Sequence, residues 1–78
     1  MRSYNTAIGR WLHDQRKKKG LYQQEVADRM GCTKMAVSNW ESGKRTIYAE
    51  TLLQYCDALG VDPALLLEDL KKEPYASL

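Results

Sequence analysis

Between Gln23 and Ser42 the apolar positions repeat at helical spacing and the repeat breaks once, at Gly31. They fall at Val26, Ala27, Met30, Cys32, Val37 and Trp40. Val26 and Met30, four apart, mark one face of a first helix. Val37 and Trp40, three apart, mark one face of a second. Gly31 stands where the first helix must stop and the chain must turn, a place that favours positive φ. Ala27 is small where a second helix would cross, so the two axes can approach closely. Two short helices in this register form a helix-turn-helix, whose second helix enters the DNA major groove.

The same periodicity extends to the rest of the chain. Gly20, Gly31, Gly43 and Gly60 each follow a helical pattern, as glycine does just past a helix end. The segments between them predict five helices and no strand. Helix one covers Asn5 to Lys19, with Ile8, Leu12 and Arg16 on its inward stripe. Helix two covers Gln23 to Met30, and helix three covers Lys34 to Ser42 behind the N-cap Thr33. Helix four spans Ala49 to Leu59, with Leu52, Leu53, Cys56 and Leu59 inward. Helix five opens on Asp62-Pro63, carries Leu65, Leu66 and Leu67, and extends toward Lys71. The expected fold is all-α, a compact five-helix bundle over residues 1–72, with a frayed tail at 73–78.

Seventy-eight residues make one small domain. A core of this size supplies only about 5 kcal/mol or less, so pairing with a second copy would help. Phe is absent, so Trp11, Trp40 and some of the five tyrosines must provide the bulky packing. Net charge is only +2, but it is unevenly spread. Residues 10–45 hold nine Lys or Arg against four Asp or Glu, and residues 46–78 hold two against six. A basic front and an acidic back suit an oriented approach to a polyanion. Cys32 and Cys56, twenty-four apart, lack the spacing and the partner ligands of a zinc site, and read as reduced, buried small hydrophobes of a cytoplasmic protein. No apolar run approaches the roughly 18 residues of a membrane span, and no metal, cofactor or small-molecule effector is expected. His13, the one histidine, has no nucleophile or carboxylate set by spacing beside it, which argues against an enzyme and places it on the surface.

On helix three, Val37 and Trp40 turn inward while Lys34, Met35, Ser38, Asn39 and Ser42 turn outward. Asn39 can pair bidentately with adenine, Lys34 can donate to guanine, Ser38 suits either, and Met35 can pack against a thymine methyl. Phosphate contacts would frame these readers. Gln23 lies at the N-terminus of helix two beside Tyr22, Lys44 and Arg45 follow helix three, and Thr33 and Ser42 stand at its two ends. Arg16, charged on an inward stripe, needs a partner. Glu41, next to Trp40, is that partner in a partly buried pair.

The stretch from Arg16 through Leu67, two thirds of the chain, resembles the helix-turn-helix family of phage lambda and 434 repressors and Cro proteins, the XRE family. The resemblance rests on Gly20-Leu21, Gln23, Glu25-Val26-Ala27, Gly31, Val37-Ser38, Trp40-Glu41-Ser42-Gly43-Lys44 and Leu59-Gly60-Val61-Asp62-Pro63. It implies a five-helix bundle that binds near-palindromic operator DNA as a two-fold dimer. It also implies Gln23 as a phosphate ligand, Lys34, Met35, Ser38 and Asn39 as base readers, and Arg16–Glu41 as the internal pair. Three positions depart from the pattern. Tyr22 replaces the usual Ser, Thr or Asn cap, so helix two is expected to lose its capping box with Glu25. Ile47 replaces a common proline, and Met35 is apolar where polar readers are frequent.

The leading expectation is a sequence-specific transcriptional regulator, a repressor of phage, prophage or small bacterial type. The alternative is a protein-interaction module, such as an antitoxin, that docks a partner through Leu65, Leu67, Leu70 and Tyr75. The same four residues are the candidates for homodimer contact.

Overall fold

A computed structural model of the chain describes residues 2–78. Its elements are α1 (Asn5–Lys18), α2 (Gln23–Met30), α3 (Lys34–Ser42), α4 (Ala49–Leu59), α5 (Ala64–Asp69) and a 3-10 turn over Tyr75–Ser77. Among the described residues there is no strand, and the architecture is an all-α bundle in which α1 packs on α3, and α2 packs on both α3 and α4.

Local chemistry explains where the central helices start and stop. α2 ends at Gly31, whose φ of 71° is left-handed, and the turn closes when Cys32 N donates to Ala27 O at 2.9 Å. Two residues later Thr33 Oγ1 accepts from Ala36 N at 3.1 Å and caps α3. At the start of α2 the missing cap costs only half a box. Tyr22 makes no side-chain cap bond, yet Glu25 Oε1 still accepts from the Tyr22 amide at 2.9 Å. Asp62 Oδ1 accepts from Ala64 N at 2.9 Å and starts α5, which ends at Asp69, short of Lys71.

Each helix sends one face into a single core. Trp11, Leu12, Val26, Ala27, Val37, Tyr55 and Cys56 are fully buried, and Trp40, Leu59 and Leu66 nearly so. Each large side chain buried this way contributes about 1.5–3 kcal/mol. The inward face of α4 differs from the expected one. Leu53 is 50% exposed and Tyr55 takes its place. At 100° per residue, Leu52, Tyr55, Cys56 and Leu59 share one arc and Leu53 falls outside it. Ile47, where a proline is common, is half-buried against the core. Both cysteines are free thiols. Cys56 is buried and burial pushes it up to about 11, whereas Cys32 is only half-buried, not fully as expected.

The last residues, expected to fray, fold back onto α1. The Tyr75 ring packs against the core and its hydroxyl donates to Asp14 Oδ2 at 2.5 Å. Arg2 Nη2 donates to Tyr75 O at 2.9 Å and to Leu78 O at 2.7 Å, and Trp11 Nε1 donates to Asp69 Oδ2 at 2.8 Å. These bonds join residues 58 to 76 positions apart, beyond the reach of any local pattern.

One glycine acts as a packing residue instead of a helix stop. Gly9 lies inside α1, where glycine costs about 0.5–1 kcal/mol relative to alanine. A Cβ there would sit 2.5 Å from Trp40 O and 2.6 Å from Glu41 O, so α1 presses directly on the C-terminal backbone of α3. Gly9→Ala is therefore expected to destabilise the fold by about 1–3 kcal/mol despite its better helix propensity. That loss corresponds to a melting point lower by about 4–8 °C per kcal/mol, measurable by circular dichroism.

Candidate nucleic-acid interface

The exposed face of α3 depends on how the helix is anchored from behind. Glu41 is buried at the end of α3 and its carboxylate collects ligands from three other helices. Arg16 of α1 grips it twice, Nε to Oε2 at 2.7 Å and Nη2 to Oε1 at 2.9 Å. Gln23 of α2 donates from Nε2 to Oε1 at 3.1 Å, and the Tyr55 hydroxyl of α4 donates to Oε2. Arg16 also donates from Nη1 to Leu21 O at 2.8 Å, fixing the α1–α2 turn. The structure thus brings Arg16 and Glu41 together and adds three groups around them.

His13 is one of those groups, and here the expectation of a plain surface residue needs correction. It is half-buried, with Nδ1 at 3.2 Å from both Glu41 Oε1 and Arg16 Nη2. A bare Nδ1 accepts from the guanidinium; a protonated one donates to the carboxylate. The signal lay in its place three residues before Arg16, on the flank of the same stripe. Tyr55 and Gly9 gave weaker signals, a tyrosine within an apolar helix face and a glycine inside a helix.

The electrostatics of the cluster follow from its burial. Desolvation pushes the Glu41 carboxyl up, but hydrogen bonds from Arg16, Tyr55 and Gln23, with the Arg16 charge, together hold it below its ordinary value of 4.5. The bond to Glu41 raises the Arg16 guanidinium, against the lowering effect of burial. Burial and the adjacent carboxylate raise the Tyr55 phenol.

With Val37, Trp40 and Glu41 buried, the opposite side of α3 is free. Lys34 is exposed, Met35 is 72% exposed, and Ser38 and Asn39 are half-exposed. The expected phosphate ligands surround this face in different states. Tyr22 is 76% exposed, and Lys44 and Arg45 project from the loop after α3, with the Arg45 guanidinium 5.9 Å from the Trp40 ring centroid. Gln23 spends one amide hydrogen on Glu41 and keeps a second. The Thr33 hydroxyl accepts from the backbone and retains its own hydrogen to donate. Ser42 already donates to Asn39 O at 3.2 Å. A shallow surface cleft of about 350 Å³ runs beside the face, lined by Arg10, His13, Gln23, Ser38 and Ser42 among others.

The dimer candidates divide. Leu67 (68% exposed) and Leu65 (45% exposed) lie on the surface, whereas Leu70 and Tyr75 are half-buried against the protein's own core.

A Helix-turn-helix family model matches residues 12–66, and the chain belongs to this family, in its XRE branch. It is a DNA-binding transcriptional regulator of that type, a family of regulators and not of enzymes. The HTH-type transcriptional regulator y4dJ of Sinorhizobium fredii, described as uncharacterized, is 34% identical over 62 residues that cover 80% of either chain. Among solved structures, the clp gene regulator ClgR of Corynebacterium glutamicum superposes with a TM-score of 0.85 at 27% identity, over 91% of this chain and 92% of that one. The restriction-modification controller protein C.AhdI of Aeromonas hydrophila superposes with a TM-score of 0.74 at 30% identity, over 78% of this chain and 92% of that one. No helix among the described residues is long and apolar enough to cross a membrane.

Removing one member of a buried pair leaves the other charge uncompensated. Glu41→Ala is therefore expected to cost about 3–5 kcal/mol, most of what so small a core supplies, and to appear as a large fall in the urea midpoint. The sign of the pH dependence follows from the lowered carboxyl. Its contribution is complete above the ordinary value of 4.5 and is lost as pH falls through the lower folded value. Glu41→Gln should flatten the acid limb of a stability–pH curve and leave its neutral limb lower than that of the native protein.

Proposed function

We propose that the protein is a sequence-specific regulator of double-stranded DNA, a repressor, that reads the major groove with α3. Lys34, Met35, Ser38 and Asn39 are the base readers. Tyr22, Gln23, Thr33, Lys44 and Arg45 hold the flanking phosphates, and Ser42 joins them when its hydroxyl turns from Asn39 O toward the DNA. The observation that carries this is the two-sided character of α3. Its inner side is fixed by Val37, Trp40 and the Glu41 cluster, while four side chains at its outer side stand unoccupied by core packing. The excess of Lys and Arg over residues 10–45 lies on the segment that holds this face, and a positive field there steers association with a polyanion. Similarity to a clp gene regulator and to a restriction–modification controller supports transcriptional control as the output.

The protein acts as a homodimer on a near-palindromic operator. Leu65 and Leu67, exposed on the two flanks of α5 to either side of buried Leu66, offer apolar surface for a second copy, and their exposure supports this reading. Two reading helices related by a two-fold axis would lie about 34 Å apart, one turn of DNA. The same leucines could instead serve a different protein partner. Sedimentation of the free protein and of its DNA complex separates these: a two-to-one complex supports the dimer, and a one-to-one complex removes it.

Base and phosphate contacts predict different mutant behaviour. Asn39→Ala should cost about 1–3 kcal/mol on the selected operator and relax preference at one base pair. Lys44→Ala should weaken all sequences alike and reduce the salt slope by about 1. Fluorescence anisotropy on operator and random duplexes measures both; equal losses on the two DNAs for Asn39→Ala would refute its role as a reader.

A further inference from the structure

The four outward residues of α3 are chemically unequal. Lys34, Ser38 and Asn39 recognise a base edge through hydrogen bonds. Met35 cannot: its thioether is at best a weak acceptor, and the rest of the side chain is hydrocarbon. It nevertheless stands in the first turn of α3, 72% exposed, with no place in the core. The N-terminal turn of a recognition helix is the part that meets base edges. Within the major groove the one apolar group on a base edge is the substituent at C5 of a pyrimidine. Thymine and 5-methylcytosine carry a methyl there; uracil and cytosine carry hydrogen.

We infer that Met35 is a sensor of the pyrimidine C5-methyl group, so that binding depends on thymine or 5-methylcytosine at one position of each half-site and responds to cytosine methylation. This rests on the role of α3 as the reading helix. A Met at this position discriminates by methyl content and is blind to the hydrogen-bonding edge, so thymine and 5-methylcytosine are equivalent to it while cytosine and 5-methylcytosine are not. The flexible, unbranched side chain can follow the methyl with little strain. Burying one methyl against it is worth about a fourfold change in affinity per half-site.

The test starts from duplexes selected by the protein from a random pool. Each thymine of a half-site is replaced singly by deoxyuridine, and at the sensitive position cytosine is compared with 5-methylcytosine opposite guanine. Affinities are measured for the native protein, Met35→Ala and Met35→Gln. Because Met35 is exposed, both variants should keep the native melting temperature, which thermal unfolding verifies. The expected result is one position at which deoxyuridine weakens native binding by about fourfold and 5-methylcytosine strengthens it over cytosine by the same factor, with both effects absent in the two variants. Equal losses for native and variant proteins at every thymine, or a selected site with no methyl-sensitive position, would overturn the inference and leave the DNA-binding role standing. Failure of the pool to yield any sequence bound above random DNA would overturn both.

Discussion

Almost everything in this fold converges on one buried carboxylate. Glu41 has two oxygens, and between them they take both arms of the Arg16 fork, the Gln23 amide and the Tyr55 hydroxyl, with His13 Nδ1 3.2 Å away. A carboxylate removed from water is stable only when its lone pairs are filled, and here four helices meet to fill them. The consequence is directional. α3 is held at its C-terminal end by charge, along its middle by Val37 and Trp40, and at its start by the Thr33 cap. What remains free is a fixed strip of four side chains.

Close backbone packing does the complementary work. Gly9 lets α1 come within van der Waals contact of the carbonyls of Trp40 and Glu41, and Arg16 sits two turns further along the same helix. The close approach of α1 accompanies the contact of two guanidinium nitrogens with the carboxylate. Sterics at residue 9 and electrostatics at residue 16 are therefore parts of one constraint. The docked tail and α5 extend it, since Tyr75 donates to Asp14 of α1 and Asp69 at the end of α5 accepts from Trp11 of the same α1.

Functional chemistry is distributed around this anchor economically. Gln23 and Thr33 use one hydrogen-bonding capacity inside the fold and keep another for solvent or ligand, whereas Ser42 is committed to Asn39 O. The anchoring residues and the outward residues alternate along the same nine-residue helix. A substitution in one set thus risks disturbing the other, and Met35, exposed and bonded to nothing in the core, is the position where the two are most cleanly separated.

Helix existence and polarity were legible in the sequence, because they depend on neighbours three and four residues apart. The 3.6-residue period, the stops at Gly31 and Gly60, the Thr33 cap and the inward set Val26, Ala27, Val37 and Trp40 are all local in this sense. Even the Arg16–Glu41 pair was readable, since a charge on an inward stripe demands a partner. Tertiary structure alone decided the rest. Gly9 differs from a weak helix residue only because α3 crosses there, and His13 differs from a surface residue only because Glu41 comes to it from 28 positions away. Tyr55 in place of Leu53 follows from the helical period of α4 itself, but the partner of its hydroxyl does not, and the tail is ordered by bonds to Asp14 and Arg2 that no window of sequence contains. Short-range periodicity determines which helices form; the closure of long loops, each favourable only once its partners are in place, determines which surfaces they share.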